Sequence, residues 1–269
     1  MKIKPTPETI WKRPTCLNYS NDPITEAAIA ECEEQLGLKL PQEYLDLLWV
    51  QNGGSIRFHI PDSVGHCIAG IGSSYSSLMN SGFWGCDEYV DFSLKGLVPF
   101  DGDGHWFLCL DYRQTPECPG VSYIDIECNS QHKMTDSFSQ LLNMMELDPG
   151  DKRVLTNVED FDDGLSKLSE LLGQESKSRV NNIGIAYNRF QVGEEVNECL
   201  WISSNVVAAS YRGDKPAQFV FEGEALQFPE LPKNAVIFEC PTARLPQYQD
   251  RLSENGFELL EIEAAVELL

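Results

Sequence analysis

Apolar positions recur at helical spacing in two stretches near the start of the chain. Ile29, Cys32 and Leu36 fall on one face, and apolar residues three and four apart share a helix side. Thr25 precedes them as an N-cap, with Ile24 and Ile29 at the N′ and N4 positions of a hydrophobic staple. Gly37 ends that helix. Pro41 then sits near the first turn of a second helix, where a missing N–H costs nothing. Its apolar residues are Tyr44, Leu45, Leu47, Leu48 and Trp49, and Asn52-Gly53-Gly54 is the expected stop, because Asn and Gly tolerate a left-handed cap. Beyond it the period changes to two. Residues 56–60, 97–100, 106–110 and 121–126 read as strands. Residues 106–110 are apolar on both faces, which predicts a central strand. Residues 61–87, rich in Gly and Ser, read as an irregular loop. Thr135-Asp136-Ser137 caps another helix, whose Phe138, Leu141, Leu142 and Met145 follow helical spacing.

A turn-forming cluster, Asp148-Pro149-Gly150-Asp151, then interrupts the pattern. The next helix is expected to be capped by Asn157, with Val158, Phe161, Leu165, Leu168 and Leu172 in one stripe and Gly173 at its end. Strands are expected at 183–190, 200–202, 206–211, 219–221 and 236–239, a helix at 242–254 and a strand at 257–262. Residues 258–267 alternate acids with apolar residues, as a half-exposed strand or helix would. Helices, then strands, then a helix imply an α+β fold. N-terminal helices pack on a largely antiparallel sheet in residues 1–150, and a second, smaller α+β domain follows in residues 151–269.

Composition narrows the function. The chain has 269 residues and 42% hydrophobic residues, enough for a sizeable core. Its 42 acidic and 20 basic residues give a formal charge of −22, and the acids are spread over both halves. Such a surface is a poor direct ligand for nucleic acid or an anionic membrane and suits a basic partner. The nine cysteines are odd in number and form no CxxC, unlike a secreted disulfide framework. The first residues lack the apolar stretch of a signal peptide, and no run of eighteen apolar residues occurs. A reduced cytoplasmic protein is expected. Cys32 and Cys109 read as small core hydrophobes.

The search for chemistry is short. The four histidines, His59, His66, His105 and His132, form no HExxH or other close metal spacing. No GxSxG or phosphate loop occurs. The expectation is no catalytic residue, no metal and no cofactor. Asp101-Gly102-Asp103-Gly104-His105-Trp106 gathers two carboxylates and a histidine, yet Asp and Gly are what a turn between two strands needs. Its exposed carboxylates, Asp101 and Asp103, are candidate partner contacts. A second candidate is Trp84 with Asp87 and Glu88, an aromatic beside acids, since Trp is enriched at interface centres.

The order of these features resembles the SUKH superfamily. The resemblance is carried by Ile24-Thr25-Glu26, Leu36-Gly37, Leu40-Pro41, Tyr44, Leu48, Asn52-Gly53-Gly54, Pro99-Phe100, Gly102-Asp103-Gly104, Leu110-Asp111-Tyr112-Arg113, Asp136-Ser137-Phe138 and Leu141-Leu142, over about residues 10–147. It implies a non-enzymatic domain, with Asn52, Gly53, Gly54, Gly102, Gly104 and Asp111 as structural motif residues. Many bacterial members are immunity proteins that neutralise polymorphic toxins, often nucleases, and others are signalling or scaffold proteins. The expected function is therefore an immunity protein whose acidic surface occludes a basic toxin domain. The alternatives are a scaffold or regulatory interaction protein, and a carboxylate- or metal-dependent enzyme with a site in the second half or around Asp101, Asp103 and His105. Residues 151–269 resemble no family recognised here, and the sequence leaves the oligomeric state open.

Overall fold

Thr25 and Gly37 bound the first helix, α1 (Glu26–Leu36), as their chemistry dictates. The Thr25 hydroxyl accepts from the Ala28 N–H at 3.2 Å. Gly37 is left-handed at φ 67° and donates back into the last turn. The computed structural model describes residues 2–74, 76–79, 82–180, 185–193, 198–213, 219–241 and 243–268. The chain divides into two units, Ile3–Asp148 and Pro149–Leu269 with Met1–Lys2.

In the first unit α1 is followed by α2 (Gln42–Val50). Four strands then form an antiparallel sheet in chain order: β1 (Leu97–Gly102), β2 (Trp106–Asp111), β3 (Gly120–Asp125) and β4 (Ser130–Thr135). The expected central position of residues 106–110 is found, since β2 has neighbours on both sides. On one face Phe83, Leu94, Leu97, Phe107, Cys109, Ile124 and Ile126 form a core cluster. Tyr44, Phe100 and Phe138 interlock in edge-to-face contacts at 5.1–6.2 Å, a geometry aromatic quadrupoles favour. Phe138 belongs to α3 (Phe138–Met144), which is capped by Ser137 and lies against β3 and β4.

Several local expectations are corrected. Helix α2 ends at an extended Gln51, so Asn52 supplies no left-handed cap. Instead its buried amide braces a neighbouring loop. Nδ2 donates to Asp22 O and Ile71 O, both at 2.7 Å, and Oδ1 accepts from Ile71 N at 2.8 Å. Gly53 is needed next to it. At φ 88°, a Cβ there would stand 2.6 Å from Gly70 N. Within residues 56–60 only Phe58–His59 is a strand, paired with Glu146–Leu147. The expected loop 61–87 contains a short strand, Cys67–Ile68, paired with Gly54–Ser55, and the start of a 3-10 helix, Gly82–Tyr89.

The second unit holds a six-stranded sheet. Its elements in chain order are β5 (Lys152–Thr156), α4 (Phe161–Leu172), β6 (Lys177–Val180), β7 (Ala186–Gln191), β8 (Cys199–Ser204), β9 (Val236–Glu239), α5 (Leu245–Glu254), β10 (Glu258–Leu260) and α6 (Ile262–Glu267). The strand order is β6-β7-β8-β9-β5-β10, and every neighbouring pair is antiparallel. Strands β5 and β8 therefore run parallel on either side of β9, and β9 and β10 run parallel on either side of β5. These are two split βαβ units, the ferredoxin-like arrangement, with the β6–β7 hairpin inserted before β8. Leu155, Leu168, Phe190, Leu200, Ile202, Val236, Phe238, Leu252 and Phe257 make its core. The cap of α4 is Asp160, which accepts from Asp163 N at 3.0 Å, and not Asn157. Residues 206–211 divide between two short strands, Val206–Val207 and Ser210–Arg212. The expected strand start at 183–184 and helix start at 242 lie outside the described residues.

Candidate functional site

In the first unit a cleft of about 680 Å³ opens between the start of the 3-10 helix and the β1–β2 turn. Gly82 and Cys86 line it from one side, and Asp101, Gly102, Asp103 and Gly104 from the other. The two candidate segments, separate in sequence, thus both reach this cleft, the first through Gly82 and Cys86, while Trp84, Asp87 and Glu88 are not among its lining residues. Trp84, Asp87 and Glu88 are exposed on the same helix. They are oriented by Phe83, which is fully buried with its ring 4.9 Å from Phe107.

Asp101 acts first as a brace. Its Oδ2 accepts the N–H groups of His66 (2.7 Å) and Cys67 (2.9 Å), and Oδ1 accepts Gly102 N–H at 2.9 Å. Burial holds its carboxyl above the ordinary value, partly offset by these three donors. Asp103 is exposed and closes the turn. Its Oδ1 accepts from His105 N (2.9 Å) and Trp106 N (3.3 Å). Burial alone would raise this carboxyl, but the donors outweigh it and hold it below the ordinary value. Gly102, at φ 155°, has no room for a side chain, because a Cβ would stand 2.5 Å from the Phe107 ring.

The cleft's thiols are poor nucleophiles. Burial and the Asp101 charge push Cys67 up to about 11, and burial with Asp87 raises Cys86. Both are therefore protonated at neutral pH. Among the described residues, no group of three or more His, Cys, Asp or Glu could hold a metal ion. No helix among them is long and apolar enough to cross a membrane. Of the resemblance's motif residues, Gly102 and Gly104 line the cleft and Asn52, Gly53, Gly54 and Asp111 do not. Asp111 takes a forked pair of bonds from Arg113 at 2.9 and 2.7 Å and one from Ser122 Oγ at 2.7 Å.

Sequence reasoning missed one surface feature. Trp106, Tyr123 and His132 stack across β2, β3 and β4, with ring centroids 5.8 and 5.3 Å apart. The signal was in the register. Tyr123 stands opposite His132, and Trp106 stands opposite Asp125, two residues along from Tyr123.

The cleft is thus bounded by braced loops, with Asp101 and Asp103 in its wall and its thiols protonated. Residues 23–144, within the first unit, match the family described as SMI1 / KNR4 family (SUKH-1). Domains of this family occur in immunity-type and interaction proteins and are generally non-catalytic. No curated protein matches the chain.

Proposed function

We propose that the protein is a cytoplasmic, immunity-type binding protein that neutralises a basic bacterial toxin domain, such as a nuclease, by covering its positive surface. The SUKH-1 match carries this reading. A net charge of −22 supports it. A nuclease needs a positive groove for phosphates, and an acidic inhibitor is steered to such a groove and opposes acidic competitors. In this reading the contact surface is the cleft rim, with Trp84, Asp87, Glu88 and Asp103 outward and Asp101 holding the rim in shape. Residues 1–150 act as the binding domain and residues 151–269 as a separate one.

The experiment is co-expression with the toxin domain encoded beside the gene, reading growth and complex formation. The expected result is rescue of growth and a complex stable to gel filtration. No rescue and no binding with any neighbouring toxin would overturn the proposal.

A further inference from the structure

The Trp106–Tyr123–His132 ladder lies at the end of the first sheet that also carries the β1–β2 turn. Its three rings share one sheet face with Asp125, as the pairing of Trp106 with Asp125 and of Tyr123 with His132 requires. Trp106 and Tyr123 are half-buried and His132 is exposed. Trp106 and Tyr123 are parallel to within 7°. We propose that this ladder is a docking surface for arginine side chains on a basic protein segment. The inference deepens the reading above by naming the chemistry of the partner's contact, and it rests on that reading for who the partner is.

Three observations argue for arginine. First, the three rings are stacked face to face in a row, and a planar guanidinium extends such a row at its end where a compact ammonium does not. Second, two carboxylates stand beside the platform without a cation. Asp103 and Asp125 are in no ion pair among the described residues, while the neighbouring Glu127 is paired with His105 Nδ1 at 2.6 Å. Their charges reach the stack, since after burial it is Asp125 and Asp103 that raise the Tyr123 hydroxyl. Third, their oxygens are held in place. Asp103 Oδ1 is fixed by the turn, and Asp125 Oδ1 accepts from Cys128 N at 2.8 Å. A guanidinium stacked on the Trp106 end of the row, beside Asp103 and Asp125, would donate to a preset carboxylate edge, the geometry in which arginine exceeds lysine. The ladder also contributes cross-strand packing, but packing alone predicts no preference between cations.

The test is calorimetric titration of the full chain with nona-arginine and nona-lysine peptides at the same ionic strength. Arginine is expected to bind about fivefold more tightly. Trp106→Leu is expected to erase that preference while leaving lysine binding unchanged. His132→Ala, on the exposed outer strand, is expected to reduce the preference without affecting folding. In the wild type, the Trp106 indole resonance is expected to shift with the arginine peptide and not with lysine. Equal binding of the two peptides, or a preference that survives both substitutions, would overturn the proposal. The two readings separate cleanly. Arginine preference without toxin rescue sinks the toxin reading and keeps the ladder. Toxin rescue undiminished in both variants sinks the ladder as the partner's contact and keeps the toxin reading.

Discussion

Both units are braced by an asparagine buried among backbone groups. Asn52 is 4% exposed and Asn205 is 0% exposed. The Asn205 amide donates to the carbonyls of Phe228 (3.0 Å), Leu231 (3.3 Å) and Pro232 (3.1 Å), and its Oδ1 accepts Phe228 N–H at 2.9 Å. A side-chain amide both donates and accepts in one plane, and no apolar residue does either. Alanine at each site strands several buried backbone groups. Asn52→Ala and Asn205→Ala are each expected to cost about 3 kcal/mol, measured by urea unfolding. Thiol chemistry gives a second check at this scale. Burial raises the Cys109 thiol, and it pushes Cys32 and Cys240, with help from Glu33 and Asp151 respectively, up to about 11. Alkylation at pH 8 is expected to label exposed Cys118 within minutes and Cys32, Cys109 and Cys240 only after denaturation. Mass spectrometry of timed digests reads the order.

At the level of elements, Asp111 ties the end of β2 to Arg113 and to Ser122 on β3. Burial opposes its charge, yet the Arg113 and Ser122 bonds prevail and hold its carboxyl below the ordinary range. A depressed carboxylate contributes stability above its unfolded value and loses it as pH falls through its folded value. Asp111→Asn is therefore expected to cost about 1.5 kcal/mol at pH 7. The difference from wild type should vanish once the pH drops below the carboxylate range, as thermal unfolding across pH would report. A capping change tests the second unit. Asp160→Ala is expected to cost about 1 kcal/mol by unshielding the first turn of α4. Sequence chemistry located elements wherever a local rule decided them. Thr25 and Ser137 cap through their hydroxyls, and Gly37 and Gly173 through the left-handed backbone that a missing Cβ permits. It missed β4 because Ser130-Gln131-His132-Lys133 carries no apolar alternation, and an outer strand needs none. It missed β5 because Lys152 and Arg153 hide Val154 and Leu155. It placed the α4 cap at Asn157 because Asn and Asp are equivalent to a capping rule, and only the path of the chain chooses between them. The cleft's two walls were legible as residues, but their meeting was not. The ladder depended on cross-strand register, which no single strand encodes.

For the whole molecule, the charge of −22 governs how it meets other proteins. Association with a basic partner is expected to slow by about tenfold between 50 and 500 mM salt with little change in dissociation, because steering acts on encounter and is screened. Stopped-flow mixing would measure it, and a salt-independent association rate would remove electrostatic steering from the account. The second sheet has a further consequence, for how the protein comes into being. Strand β5 opens its unit but finds both neighbours, β9 and β10, only at residues 236–239 and 258–260. On the ribosome that strand must wait about eighty residues for its first neighbour and about a hundred for its second, while the sheet ahead of it can already have closed.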